Sequence, residues 1–197
     1  MAIIVEHEKR VKEILEKSLD VFVEEGYEDA TFQKIADKCG ITRTTLYIYF
    51  KNKHEIFLGS IKQLLGELEK SILSVMSDKE LGAEKQLRGI LSCLVDSCEQ
   101  NSKLFHVLLT YLIQLKKTGV DPRERVQRRV IKVRHLLNTV LIRGIREKEF
   151  KDLNVADMNQ LLYNILESAV FKIAVLFEAD IKDVRTALNL AVDGFLA

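Results

Sequence analysis

The chain has 197 residues, a formal charge of +1, 47% apolar residues and 30% charged ones. That length suits one compact unit or two small ones with a real core, and the near-neutral balance by itself points to no charged partner. No apolar run is long enough to span a bilayer, and the first residues lack the basic region and apolar segment of a secretory signal, so no membrane partner and a cytoplasmic location are expected.

One proline and nine glycines leave long helical patterns almost uninterrupted. The first helix is expected from about His7 to Glu25, with Val11, Ile14, Leu15, Ser18, Leu19 and Phe22 as its apolar stripe and Gly26 as its stop. Two short helices follow between Thr31 and Lys53. Thr31 can cap the first, Ile35 and Ala36 face inward, and Cys39-Gly40 ends it. Thr42 can cap the second, from Arg43 to about Phe50. This is a helix-turn-helix pattern.

At about 100° per residue, Leu46 and Phe50 form the inward face of that second helix, while Thr44, Thr45 and Ile48 point away. Arg43 and Tyr47 lie on one flank and Tyr49 on the other. Lys38, Arg43, Lys51 and Lys53 surround it, with no acid between Lys38 and Lys53. Such a surface suits a DNA major groove, with hydroxyls for phosphates, an arginine near the N-terminus and an isoleucine for thymine methyl groups. With so little net charge, DNA affinity must come from local placement and fall steeply with salt.

The run Ile14-Leu15, Phe22, Glu25-Gly26-Tyr27, Thr31, Ile35-Ala36, Cys39-Gly40-Ile41-Thr42, Thr45-Leu46-Tyr47, Tyr49-Phe50-Lys51-Asn52-Lys53 and Ile56-Phe57 resembles the N-terminal domain of TetR-type transcriptional regulators. It departs from the pattern where Phe32 replaces a common second threonine, Cys39 the usual alanine and Thr44 a glycine or other small residue. The resemblance implies an all-α fold of about nine helices: a three-helix helix-turn-helix domain over residues 1–52 and a larger helical effector and dimerisation domain over 53–197. It also implies a double-stranded DNA operator as partner, a homodimer and a small-molecule effector of unknown identity.

Further along, a long helix is expected from about His54 to Met76, with Gly59 and Gly66 permitting close packing or bending. Ser77-Asp78-Lys79-Glu80 reads as a break, and a fifth helix should run from about Ala83 to Glu99. The sixth, opened by Asn101-Ser102, is apolar nearly all round, which predicts a central helix or a cavity wall. Asp121-Pro122-Arg123-Glu124 is a strong helix start, and the helix it opens should reach about Glu147 with a basic outer face from Arg123 to Arg134. Gly144 to Phe150 resembles the Gly-x-x-x-Gly-Glu-Phe turn of the same family, with Lys148 in place of the second glycine. The eighth helix, opened by Asn154 or Val155, carries an apolar band too broad for one contact, and the ninth follows Asp180.

Cys39, Cys93 and Cys98 are odd in number and irregularly spaced, so neither a CxxC motif nor a zinc cluster is present and small buried residues are expected. His7, His54, His106 and His135 are scattered, and no HExxH, P-loop or Gly-rich fingerprint occurs. No catalytic residue, metal site or cofactor is therefore assigned. The expected DNA-binding residues are Thr31, Gln33, Thr42, Arg43, Thr44, Thr45, Tyr47, Ile48, Tyr49 and Lys53. For an apolar or aromatic effector the candidate pocket is Phe105, His106, Leu109, Tyr111, Leu137, Tyr163, Leu166, Glu167, Val170 and Phe171. The expected dimer contact is Leu162, Ile165, Ala169, Ile173, Phe177, Val184, Leu188, Ala191 and Phe195. The alternative is a DNA-binding protein whose C-terminal domain takes a protein partner instead of a small molecule.

Overall fold

The structure, a computed structural model, describes residues 2–78, 80–121, 123–178 and 180–197, without the side chains of residues 2–5 and 124–125. Among these, nine α-helices form and no strand does; a single bridge pairs Phe150 with Leu196. The fold is all-α. The chain divides into two compact units, Met1–Glu67 and Leu68–Ala197.

In the first unit, α1 (Ala2–Asp29) is longer than its apolar stripe requires, and it kinks at Gly26 (φ 81°), beyond which one more turn continues. Ile14, Val21 and Phe22 of α1 are buried with Ile56 and Phe57 of α4 (Lys53–Ser77). Phe22 meets Phe57 edge to face at 4.9 Å. Each such buried side chain contributes roughly 1.5–3 kcal/mol. The two helices come close because position 59 has no side chain: a Cβ there would lie 2.8 Å from Leu15 Cδ2. The buried Ser60 hydroxyl donates to the Leu15 carbonyl at 2.7 Å, so this approach leaves no orphaned hydroxyl. Asn52 and Glu55 start α4: the Glu55 N–H donates to Asn52 Oδ1 at 2.9 Å, and the Lys51 N–H donates to Glu55 Oε2 at 2.7 Å.

In the second unit, α5 (Ala83–Gln100) and α8 (Val155–Leu176) form the centre, with α7 (Arg123–Arg146) and α9 (Lys182–Phe195) packed against both. The core holds Leu87, Ile90, Leu137, Leu141, Leu162 and Ile173, all essentially without solvent exposure. α6 (Ser102–Lys117), expected at the centre or along a cavity wall, does not take the central place. It buries Leu104, Val107 and Tyr111 against the core and leaves Ile113 half exposed, so it is a peripheral helix. Pro122 and the Glu124 side chain, part of the expected start of α7, lie outside the described residues, as does Lys79 in the break after α4. Asp121 Oδ1 does accept the Arg123 N–H at 2.9 Å.

The turn after α7 joins three parts of this unit. Phe150 lies over Gly144 so closely that a Cβ at 144 would be 2.1 Å from its ring. Lys148 takes the left-handed conformation (φ 61°) that the family pattern gives to glycine. Glu149 then reaches the opening turn of α5, accepting the N–H groups of Ala83 and Glu84 at 2.8 and 3.0 Å. A carboxylate there satisfies two free donors and meets the positive end of the helix dipole.

Candidate DNA interface

The two short helices are built as their capping residues dictate. Thr31 Oγ1 accepts the Lys34 N–H at 3.2 Å, opening α2 (Phe32–Cys39). Gly40 closes it at φ 67°, and its N–H returns to Ala36 and Asp37. Thr42 Oγ1 then accepts the Thr45 N–H at 3.1 Å, opening α3 (Arg43–Tyr49). Leu46 and Phe50 are buried and fix which face of α3 looks inward.

That orientation leaves Thr42, Arg43 and Thr44 exposed, with Tyr47 at 50% and Ile48 at 72%. Thr45 and Tyr49 are half-buried, and the Thr45 hydroxyl pairs with that of Thr42 at 2.8 Å. Thr31 and Gln33 are exposed on α2, where the Gln33 amide donates to Asp37 at 2.8 Å. His7 of α1 stands beside α3, its ring 5.1 Å from that of Tyr49, a neighbour that the sequence reading did not place there. An exposed isoleucine one turn from Thr44 and Thr45 gains nothing in water, but it matches the apolar and polar edges of a major groove.

Charge is distributed differently from the sequence expectation. Lys38 pairs with Glu24 at 3.0 Å, and its pKa is raised first by that hydrogen bond. Lys34 pairs with Glu25 at 2.5 Å. Lys53, expected on a phosphate, turns its ammonium back to the carbonyls of Tyr27 and Glu28 at 2.7 and 2.8 Å, over the Tyr27 ring. The end of α1 presents carbonyls without helical partners, and a cation is drawn to them. Sequence spacing alone could not show that Tyr27 and Lys53 meet.

The pocket and dimer residues are less well gathered. Leu137 and Leu166 belong to the core, and Tyr111 is also buried. Phe105, His106, Leu109 and Tyr163 are half-buried, whereas Glu167, Val170 and Phe171 are exposed. His106 stacks on Phe177 at 4.4 Å. Tyr163 has its pKa pushed up to about 12, first by burial and then by a hydrogen bond to Glu167. None of these ten residues borders the cleft of about 430 Å³ lined by Met76, Gln86, Thr139, Val140, Ile142, Arg143 and Arg146. Of the dimer set, Leu162, Ala169, Ile173, Val184, Leu188 and Phe195 are buried in this chain's own core. Ile165 and Ala191 are half-buried, and Phe177 is 75% exposed. The outward side of α8 is instead the row Leu161, Asn164, Ser168, Phe171 and Val175. All three thiols are free, and burial raises the pKa of each, Cys98 to about 11.

A small domain that exposes one face of a capped two-turn helix, set against a second helix across a glycine turn, defines the helix-turn-helix DNA-binding class. Residues 14–59 match the family described as bacterial regulatory proteins, tetR family. The fatty acid metabolism regulator protein of Bacillus subtilis is 25% identical over 166 residues, covering 83% of this chain and 84% of that protein. The uncharacterized HTH-type transcriptional regulator TtgW of Pseudomonas putida is 30% identical over 99 residues, 50% of this chain and 70% of that one. Among solved structures, a TetR transcription regulator from Haloarcula marismortui superposes with a TM-score of 0.81 at 23% identity, over 96% of this chain and all of that one (100%). FadR from Bacillus subtilis in complex with stearoyl-CoA gives 0.67 at 21% identity, over 93% and 98%. The chain belongs to the TetR family of transcriptional regulators.

Proposed function

We propose that this regulator is a repressor: it occupies a near-palindromic operator as a homodimer and leaves it when an acyl-chain effector binds. Residues 1–52 read DNA, and residues 53–197 hold the effector and the partner subunit. The single observation that carries the DNA reading is Ile48, 72% exposed at the centre of α3 while Leu46 beside it is fully buried. Thr44, Thr45, Ile48 and Arg43 meet base edges; Tyr47, Tyr49, Thr31, Gln33 and Thr42 position the helix through phosphates. Lys53 acts indirectly, by holding the end of α1.

The effector class rests on two relatives, one named for fatty acid metabolism and one solved with stearoyl-CoA. In this chain the cleft of about 430 Å³ is the favoured seat, ahead of the α6–α8 set. Met76, Val140 and Ile142 offer apolar walls, and Arg146 stands at its rim with its side chain 75% exposed. An apolar chain with an anionic head matches that distribution. For the dimer, the favoured surface is the outward row of α8 together with Ala187, Leu190 and Gly194 of α9. Leu161, Phe171, Val175 and Leu190 are 45%, 54%, 44% and 65% exposed, apolar surface that a second copy would cover.

Binding-site selection from random DNA tests the reading. The expected product is an inverted repeat whose half-sites are about 34–36 Å apart, or a multiple of a helical turn. Adding stearoyl-CoA to the complex is expected to release it. Selection of no sequence would refute the DNA reading, and an operator complex indifferent to acyl-CoA would refute the effector.

A further inference from the structure

Tyrosine and arginine side chains on the flank of an exposed helix ordinarily sample several rotamers, and that freedom is lost when they bind. Two such side chains of α3 are already restrained. Phe32, the first residue of α2, is buried with Ile35, Ala36 and Cys39. Its ring stacks on that of Tyr47, with centroids 4.6 Å apart and planes inclined by 29°. Arg43 engages Tyr47 in turn: Nη2 donates to the phenol oxygen at 3.3 Å, and the guanidinium carbon lies 5.7 Å from the ring centroid. A continuous series of contacts therefore runs from the core of the domain through two rings to an exposed cation.

Ring stacking and cation–π attraction both depend on this alignment, so the orientation of Phe32 is transmitted to Arg43. An arginine restrained before binding loses less freedom on contact, and its planar fork matches the O6 and N7 acceptors of guanine. We infer that Phe32 is a specificity-determining positioning residue, which through Tyr47 holds Arg43 ready to read one guanine in each half-site. Phe32 itself is only 8% exposed and acts without touching DNA. The inference rests on α3 being the recognition helix.

The test is selection from random DNA by the 197-residue chain, followed by titrations on single-base-pair variants of the selected operator at several salt concentrations. Wild type is expected to select a guanine that Arg43→Ala no longer prefers. Phe32→Leu keeps an apolar side chain and removes the stacked ring. It should lower the preference for that guanine about three- to tenfold while leaving the other positions and the salt slope unchanged. Phe32→Tyr, which keeps the stack, should retain the preference. A purely structural contribution would instead weaken every position alike, and that result would overturn the inference. So would an unchanged guanine preference in Phe32→Leu, or a guanine preference that survives in Arg43→Ala. If circular dichroism shows Phe32→Leu unfolded, Tyr47→Leu decides: it must add a selective loss at that guanine to a uniform loss of affinity, and a uniform loss alone overturns the inference. A wild type that selects an operator without such a guanine overturns this inference only; one that selects nothing overturns the recognition-helix reading as well.

Discussion

At the scale of single residues, the turn after α7 shows how a substitution can be tolerated at one glycine and refused at another. Lys148 holds φ 61° with a side chain, a conformation costing of order 1–3 kcal/mol, part of which glycine would return to the unfolded chain as entropy. Lys148→Gly is expected to raise stability by up to about 1 kcal/mol in urea denaturation. Gly144→Ala places a methyl against Phe150 and should cost about 1–3 kcal/mol in the same assay. Arg146 poses a different question. Arg143 is committed to Gln86, to the Leu81 carbonyl and to Glu147, and is part of the architecture. Among the described residues Arg146 makes a 3.5 Å approach to Glu147, and its side chain is 75% exposed, within reach of an anionic head group. Arg146→Glu is expected to weaken release by stearoyl-CoA at least about tenfold, the equivalent of one charge-assisted hydrogen bond, while operator affinity without the ligand stays at the wild-type value. Fluorescence anisotropy of the operator complex reads both quantities.

At the scale of elements, α3 separates what its flanks do from what its centre does. Tyr47→Ala removes a phosphate contact together with the hold on Arg43, so it should reduce binding on every sequence and weaken further the preference for the guanine that Arg43 reads. Ile48→Ala removes the apolar group at the centre and should shift the selected operator, with about 1–3 kcal/mol of discrimination lost at the base pairs it faces. Binding-site selection distinguishes the two, and an unchanged preference for Ile48→Ala would count against a base-reading isoleucine. The helix was legible because its caps are local. Thr31, Gly40 and Thr42 each act within four residues, and Leu46 with Phe50 settles the phase. Asn154 was legible for the same reason, its Oδ1 accepting the Ala156 N–H at 2.8 Å. The Asn52-to-Glu55 start of α4 carries an equally local signal, two residues ahead of the expected start at His54.

At the scale of the whole molecule, the proposed dimer requires a surface that a second copy can cover. Leu161, Phe171 and Val175 of α8 and Leu190 of α9 are exposed apolar side chains, whereas Ile173 lies fully inside. Phe171→Asp combined with Leu190→Arg is therefore expected to give a folded monomer in analytical ultracentrifugation, with operator affinity reduced by at least about tenfold as the two half-sites uncouple. Ile173→Asp should instead destabilise the subunit itself by about 3 kcal/mol or more, since it buries a carboxylate without a cation. A double variant that sediments as a dimer would place the contact elsewhere.

Composition, capping residues and the 3.6-residue period were enough to establish an all-α chain, the order of its helices and the outward face of α3. These signals act over one or two turns, where the neighbours of a residue are set by the backbone itself. Which side of the broad apolar band on α8 turns inward depended on α5, α7 and α9, and a helical period defines only the phase of a face, not what it meets. For that reason Leu162 and Ile173 became core and Phe171 became surface. The ion pairs of Lys34 and Lys38, the return of Lys53 to Tyr27 and the ring pair of Phe32 with Tyr47 all join residues that are distant in sequence. Only the packing of helices against one another brought those groups within reach.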